Sequence, residues 1–485
     1  MLCVKKLSES PWRNTTKQNK RERCDRNMKN MTLANIAKAV NGSLHNAEQH
    51  AGEEAAGVVL DSRKVEAGYV FIATKGERVD GHTFIAAVFE KGALGVICEK
   101  APENPKGAYI LVEDSFQALK DVAAFYRKQL NIKVVGITGS VGKTSTKEFI
   151  AATLATHYQV LKTEGNFNNE IGLPLTVLRI RDNIEVAVLE MGISDFGEMH
   201  RLSSIAQPDV CVITNIGQCH LENLGTRDGI LKAKTEIFDF MQPDGKVCLN
   251  GDDDKLMTVT EVRGKRPLFF GKDSKNEIYA TDYVNYGLAG STANIHREGR
   301  SFGVKIPLPG EHMVYNALAA TAVATVMGLS DEEIAGGISS VEPVGGRSHV
   351  IHEDKVTIID DCYNANPVSM KAAIDLLSMA NTRKVAILGD MFELGSNEKA
   401  LHEEVGTYAA YHKIDCVICV GNLCRHMYDG VKAVKSDSRA YYFEDRDIML
   451  EHLGEILQPG DTVLVKASHG MHFEEAVKQI PQILA

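Results

Sequence analysis

The chain has 485 residues, too many for one compact core, and its 44% hydrophobic content with 41 glycines and 13 prolines excludes collagenous, disordered and disulfide-scaffold classes. No run of about 18 apolar residues could cross a bilayer, no secretory pattern opens the chain, and ten scattered cysteines suit a reducing, cytoplasmic setting. The formal charge is −10, but the first 30 residues hold nine Lys/Arg against three acids, a balance of +6 that leaves −16 on the remainder and makes a nucleic-acid partner for the body unexpected.

Residues 1–30 read as a basic, disordered extension rather than a nucleic-acid-binding arm, because they lack the apolar content to pack. Met31 opens the first periodic segment, with Leu33, Ile36, Ala37 and Val40 at helical spacing. From there to residue 131, short strands such as Tyr69–Ala73 and Leu94–Cys98 alternate with glycine-rich turns, as in a small α/β substrate domain.

From residue 132 to 344 the pattern becomes apolar strands ending in polar clusters: 134–137, 186–189, 210–213 and 247–249, separated by helical segments. Such alternation predicts a parallel sheet covered on both faces. A third series, 345–485, repeats it with strands at 356–359, 385–388, 417–420 and 463–465 and a helix over 366–379, a second doubly wound sheet. The fold expected is therefore α/β in three domains, with ligands beyond the carboxyl ends of the strands. Cys416-x-x-Cys419, with Cys424 and His426 close behind, has the look of a zinc motif. The run CVICVG around it reads instead as a buried strand whose thiols act as small hydrophobes.

The strongest chemical signal is GITGSVGKTS, Gly136 to Ser145, between an apolar strand and a helix. It predicts a phosphate-binding loop: Gly139, Ser140, Val141 and Gly142 turn backbone N–H groups toward phosphate oxygens, Lys143 reaches the terminal phosphates, and Thr144 can ligate magnesium. Its spacing departs from the general consensus, since Ile137 stands where a glycine is usual. Glu190 ends the strand in VLEMG and suits a metal held against the phosphates. Asn215 and His220 follow the next strand, and Lys234 falls within a helix. Each of these alone has an ordinary structural reading.

Together these stretches resemble the Mur ligase family: T-G-x-x-G-K-T, E-M-G, T-N-I-G-x-x-H, A-K-x-E-I-F and P-G-E-H-x-x-x-N-A-L-A-A appear in order, and the resemblance covers Met31 to Ala485. TEGNFNNEIGLP from Thr163, DDCYNANPVSM from Asp360 and LGDMFELG from Leu388 are similar to the branch of that family that adds D-alanyl-D-alanine. The resemblance implies an ATP-dependent ligase of peptidoglycan synthesis, monomeric, acting on UDP-N-acetylmuramoyl-tripeptide and D-alanyl-D-alanine through an acyl phosphate. It implies a nucleotide site at Gly139–Ser145 with Asn316 for adenine and Arg347 and Asp361 closing on γ-phosphate and ribose. Two magnesium ions are implied at Thr144, Glu190, His220 and Lys234, the last as a carbamate. For the UDP-substrate it implies Ser62, Arg63 and Lys75, with Thr163, Asn166, Asn168 and Asn169 facing the tripeptide. It also implies closure of the last domain over the central one. Met313, Ala467 and His469 depart from the family pattern.

Rival readings are a folylpolyglutamate-synthase-like ligase, against which the YNANP and GDMFELG stretches stand, and a nucleotide-switched binding protein. A dehydrogenase has no G-x-G-x-x-G to rest on.

Overall fold

In the computed structural model, residues 27–48 and 50–485 are described, and they form α/β structure around three sheets. The first sheet runs Ser43–His45, Ala108–Leu111, Gly95–Cys98, Tyr69–Ile72, Gly57–Val59 from edge to edge, parallel except at its first pair. The second has nine strands, in the order Arg300–Ile306, Ser291–Arg297, Ile278–Asn285, Leu268–Gly271, Lys246–Asn250, Val210–Ile213, Lys133–Thr138, Val186–Glu190, Val160–Lys162. The third has six, in the order His349–Glu353, Val356–Asp360, Asp461–Lys466, Lys384–Gly389, Cys416–Val420, Arg439–Phe443, parallel except at its first pair. Among the described residues no helix is long and apolar enough to cross a membrane.

The chain divides into two compact units. One gathers the residues up to Ile132 with Thr163–Ala187 and Ser204–Gln207; the other holds Lys133–Lys162, Val188–Ser203 and Pro208–Ala485. Within the first, the helix Ser115–Gln129 explains why a distant segment joins it: the Tyr126 hydroxyl donates to the Ile180 carbonyl (2.6 Å), and Arg127 donates to the carbonyls of Ala206 and Gln207. The stretch carrying Thr163, Asn166, Asn168 and Asn169 therefore shares a body with Ser62, Arg63 and Lys75.

Within the second unit the central strands are buried along their whole length, as parallel strands covered on both faces must be. The antiparallel ribbon Ile278–Asn285, Ser291–Arg297, Arg300–Ile306 extends the sheet beyond anything the apolar runs announce. Its middle strand alternates burial residue by residue, with Asn294 and His296 on the less buried face, and the strands on either side are mostly exposed or half-buried, so no apolar run marks them.

In the third sheet Cys416, Ile418 and Val420 pack into one hydrophobic core, and Val417 and Cys419 into the core on the opposite face. Thiols three residues apart on a strand point to opposite sides and cannot share a metal. Burial raises the Cys416 thiol to about 11, so both cysteines are neutral core residues.

Residues 1–26 lie outside the described residues, and so does most of the expected basic extension. Of its last four residues, Met28 is buried and Asn30 is hydrogen-bonded to the body, while Lys29 and Asn30 stay exposed. Met28 is 0% exposed and its amide donates to the Ala55 carbonyl (2.8 Å), while Asn30 bonds Glu54 and Gln129. The folded body thus begins before Met31. Met28→Ala is expected to cost about 2–5 kcal/mol, the usual range for emptying a buried methionine site. Urea unfolding of the variant checks this, and an unchanged midpoint would show that Met28 contributes nothing.

Candidate active site

The strand Lys133–Thr138 lies parallel to Val210–Ile213, which sets their carboxyl ends side by side. The loop after the first strand is built against the loop after the second. Ser140 and Val141 donate their amides to the main-chain and side-chain oxygens of Asn215 (both 3.0 Å), and Gly217 donates its amide to Ser140 Oγ (2.9 Å). The Thr214 hydroxyl and the Asn215 amide group both donate to the Val141 carbonyl. Gly139 has φ 153, and a Cβ added there would stand 1.9 Å from Thr214 Oγ1. Gly142, with φ 80, caps the helix Lys143–Leu154, whose first turn carries Lys143 and Thr144. A left-handed glycine before a helix N-terminus, with amides turned inward, forms a cradle for phosphate.

Around this loop the ionisable groups converge. Lys143 Nζ is folded back on the Gly139 carbonyl (2.9 Å), so its ammonium is bound only to carbonyls of the loop it serves. The Thr144 hydroxyl donates to Glu190 Oε1 (3.2 Å), joining two hard oxygen ligands of the kind magnesium takes. Lys147, one turn beyond Thr144, is buried with its ammonium 3.1 Å from Glu148 and 3.9 Å from Glu190. The sequence does carry a signal for Lys147, because positions 144 and 147 share a helix face.

Lys234, on the helix Arg227–Thr235, is 1% exposed and forms no ion pair among the described residues. Burial first, and the neighbouring Lys143 second, bring it down to about 8. His220 adopts a left-handed backbone (φ 52) and pairs through Nδ1 with Glu393 (2.7 Å). Burial lowers its basicity, with Glu393 opposing and Lys143 and Lys234 reinforcing the effect.

Two side chains from the third sheet's side reach this cluster. Arg347 lays its guanidinium 3.9 Å over the ring of Tyr363 and directs Nη2 toward Thr144 Oγ1 at 3.4 Å. Glu393 is the other. Neither Tyr363 nor Glu393 stands out by residue type, although both fall in stretches that carry the family resemblance. Asp361, expected to join Arg347 at the nucleotide, is instead held by Lys466 Nζ (2.6 Å) and by the Ser348 amide (2.9 Å). Asn316 accepts the Thr146 hydroxyl (2.8 Å) on the phosphate-loop helix and reaches Met313 Sδ through its amide group, so the departure at 313 is a neighbour of Asn316 itself. Of the other departures, Ala467 is buried and the His469 ring lies 5.2 Å from Tyr363.

In the first unit, Arg63 is 87% exposed on its side chain and pairs with Asp61, whose carboxyl is drawn down to about 2 chiefly by that hydrogen bond. Ser62 lies in the short helical turn Ser62–Lys64, and Lys75 bridges to Asp80 through the main chain. Thr163 is fully buried. Asn169 accepts the amides of Ile171 and Gly172, capping the helix Gly172–Val177, and the Asn168 amide donates to the Asn166 carbonyl.

Asp390, His402 and Cys424 cluster closely enough to suggest a metal. However, His402 donates from Nδ1 to the Glu398 carbonyl and accepts the Met391 amide at Nε2. Burial also holds the Cys424 thiol protonated. That cluster is a structural brace.

Three family models match: Mur ligase family, catalytic domain, over residues 54–137; Mur ligase middle domain over 137–324; and Mur ligase, glutamate ligase domain over 346–469. The chain is 41% identical to a UDP-N-acetylmuramoyl-tripeptide–D-alanyl-D-alanine ligase of Bacillus subtilis, over 93% of this chain and 98% of the relative. The chain belongs to the Mur ligase family. Among solved structures, MurF from Acinetobacter baumannii is similar with a TM-score of 0.86 at 32% identity, covering 93% of this chain and 98% of that one. MurF ligase from Thermotoga maritima, solved in complex with ADP, is similar with a TM-score of 0.77 at 32% identity, covering 88% and 97%. The phosphate loop of this Mur ligase is therefore the place to look for nucleotide.

Gly139→Ala is expected to abolish ATP binding by calorimetry, because the added methyl collides with Thr214 and the φ value is foreign to alanine. Adding Thr214→Ala should recover only part of the affinity, since the backbone strain remains. Wild-type affinity in the single variant would mean that the loop does not need its observed shape.

Proposed function

We propose that the chain is an ATP-dependent ligase that joins D-alanyl-D-alanine to UDP-N-acetylmuramoyl-tripeptide, giving the UDP-muramoyl-pentapeptide of peptidoglycan synthesis and so serving cell-wall biogenesis, cell shape and division. One observation carries the reading. A braced phosphate loop stands beside a buried lysine and a histidine at the end of one sheet, in a chain that matches a ligase of that activity nearly end to end. It works in the cytoplasm, where ATP and the nucleotide-linked substrate are found, and as a monomer. Residues 31–131 recognise the UDP end, 132–344 bind ATP and 345–485 close over both.

The chemistry moves the γ-phosphoryl group of ATP to the tripeptide's terminal carboxylate. The dipeptide amine then attacks the acyl phosphate through a tetrahedral intermediate, and ADP and phosphate leave. The loop amides that Asn215 does not take up, those of Gly139 and Gly142, bind the phosphates with Ser140 and Val141 lining the loop, and Lys143 turns from the Gly139 carbonyl to follow the charge as it shifts. Arg347, oriented by Tyr363, adds a second cation from the closing side. Asn316 sets the nucleotide's position from beneath the loop, and Asp361 with Lys466 shapes the closing face. Ser62, Arg63 and Lys75 bind the UDP end, with Thr163, Asn166, Asn168 and Asn169 facing the tripeptide.

Magnesium fits the oxygen ligands at the loop. Thr144 and Glu190 would hold one ion and His220 with Lys234 the other, and together the ions would neutralise phosphate and carboxylate charge. Lys234 is suited to carbamate formation: its amine is buried, lacks an anionic partner and is half neutral near pH 8. A neutral amine adds to carbon dioxide and releases a proton, which converts a cation into an oxygen ligand.

Incubating the protein with ATP, magnesium, UDP-muramoyl-tripeptide and D-alanyl-D-alanine should release phosphate and pentapeptide together. Phosphate release without the dipeptide would favour a nucleotide switch and sink the ligase reading. Lys143→Ala should abolish pentapeptide formation without lowering the melting temperature, since its ammonium bonds only loop carbonyls.

In ¹³C-labelled bicarbonate, a carbamate resonance is expected that Lys234→Arg removes. Because only the neutral amine reacts, the signal should fall as pH drops below about 8. A spectrum identical in wild type and variant would rule the carbamate out.

A further inference from the structure

Glu393 follows the strand Lys384–Gly389 and has a left-handed backbone, φ 61, which a non-glycine residue holds only when its surroundings enforce it. They do so here. The Phe392 amide donates to Ser468 Oγ (3.0 Å), and the Ser468 amide donates to the Asp390 carbonyl (3.1 Å), pinning the segment to the chain after the strand Asp461–Lys466. The turn sends the Glu393 carboxylate across to the central sheet, where it meets His220.

The charge it meets there is one-sided. Lys143 adds to the burial that lowers the basicity of Lys234, both lysines add to the burial that lowers that of His220, and Arg347 directs a guanidinium at Thr144. The neighbouring carboxylates are engaged: Glu190 with Thr144 and Lys147, Asp361 with Lys466, and Asp390 with the Cys424 amide. Glu393 keeps 59% of its side chain exposed, so a ligand can reach it. Beside it the Phe392 ring is also exposed, an apolar surface suited to a methyl group.

The attacking dipeptide enters as a cation, because a free amino terminus is protonated near neutral pH. It must approach an acyl carbon formed at the phosphate loop, where the Lys143 ammonium and the Arg347 guanidinium repel it. We propose that Glu393 is the residue that binds the ammonium group of the amine substrate and holds its nitrogen beside the acyl carbon, where loss of a proton to water frees the lone pair for attack. His220 holds the carboxylate in place through Nδ1 until the dipeptide arrives, and the carboxylate then exchanges the imidazole for the ammonium group. This deepens the ligase reading and rests on it. The carboxylate reaches the site only when the third sheet lies against the second, so amine recognition and closure are one event.

The test is Glu393→Gln, which keeps the size of the side chain and removes its charge. The KM for D-alanyl-D-alanine should rise about 30-fold, the loss expected of one charge-assisted hydrogen bond, with KM for ATP and the UDP-substrate unchanged. Calorimetry on enzyme with the UDP-substrate and a non-hydrolysable ATP analogue should show the same loss for the dipeptide. N-acetyl-D-alanyl-D-alanine, which has no ammonium, should bind wild type and variant alike.

Glu222→Gln, which removes an exposed charge two residues from His220, should leave all three KM values unchanged. An unchanged dipeptide KM in Glu393→Gln overturns the proposal, as does an equal rise in all three KM values or an equal effect in Glu222→Gln. Absence of pentapeptide with the wild-type protein would instead count against the ligase reading itself.

Discussion

The site depends on the close approach of two loops at adjacent strand ends. Pairing of Lys133–Thr138 with Val210–Ile213 brings Gly139 against Thr214 with no room for a side chain, and Asn215 then takes up the amides of Ser140 and Val141. Bracing of this kind fixes the remaining amides and the start of the following helix before any ligand arrives. A cradle already in shape does not lose conformational entropy on binding, which is where flexible phosphate loops give up affinity. The same two strand ends also give the positions of His220 and, through the next helix, Lys234. Register in one strand pair therefore sets the spacing of nearly every charged group at the centre.

Those groups are electrostatically unbalanced. Lys143, Lys234, His220 and Arg347 face one region in which Glu190 is already shared between Thr144 and a buried Lys147. Crowded cations cost free energy in an empty site, and the basicity of Lys234, lowered mainly by burial, is lowered further by Lys143. Anionic ligands such as phosphates and carboxylates relieve it, so part of their binding energy comes from the removal of repulsion. A cationic ligand gains nothing from this arrangement and needs a carboxylate of its own.

Much of this was legible in the sequence where local chemistry and position coincide. The apolar runs gave the parallel strands to within one or two residues, because burial on both faces leaves an unbroken apolar pattern. The phosphate loop could be read for the same reason: glycine, lysine and threonine there serve needs fixed by the backbone. What could not be read depends on long-range pairing. The ribbon Ile278–Ile306 has one open face and a polar alternation. The pairing of Asp361 with Lys466 spans 105 residues, and the hold of the Asn169 side chain on the Ile171 and Gly172 amides shows only in the folded turn. Met28 looked like part of a charged tail because its burial depends on Ala55, which no local pattern announces.

The contacts that bring the third sheet's side chains to the phosphate loop are few and individually weak. Arg347 meets Thr144 at 3.4 Å, a long hydrogen bond, and the pair of His220 with a half-exposed Glu393 belongs to the class of ion pairs contributing about 1 kcal/mol or less. Elsewhere Asn285 reaches Met379 Sδ and Leu288 packs against the core of the third sheet, so the two pairs at the loop bring side chains to the site without being what joins the sheets. Ligands that touch both sides then favour the closed state by their differential affinity alone. Strong closing contacts would work against turnover, because product release would have to break them. The weak pairing of Glu393 with His220 is thus what an enzyme needs if it must exclude water during an acyl-phosphate step and still let its product go.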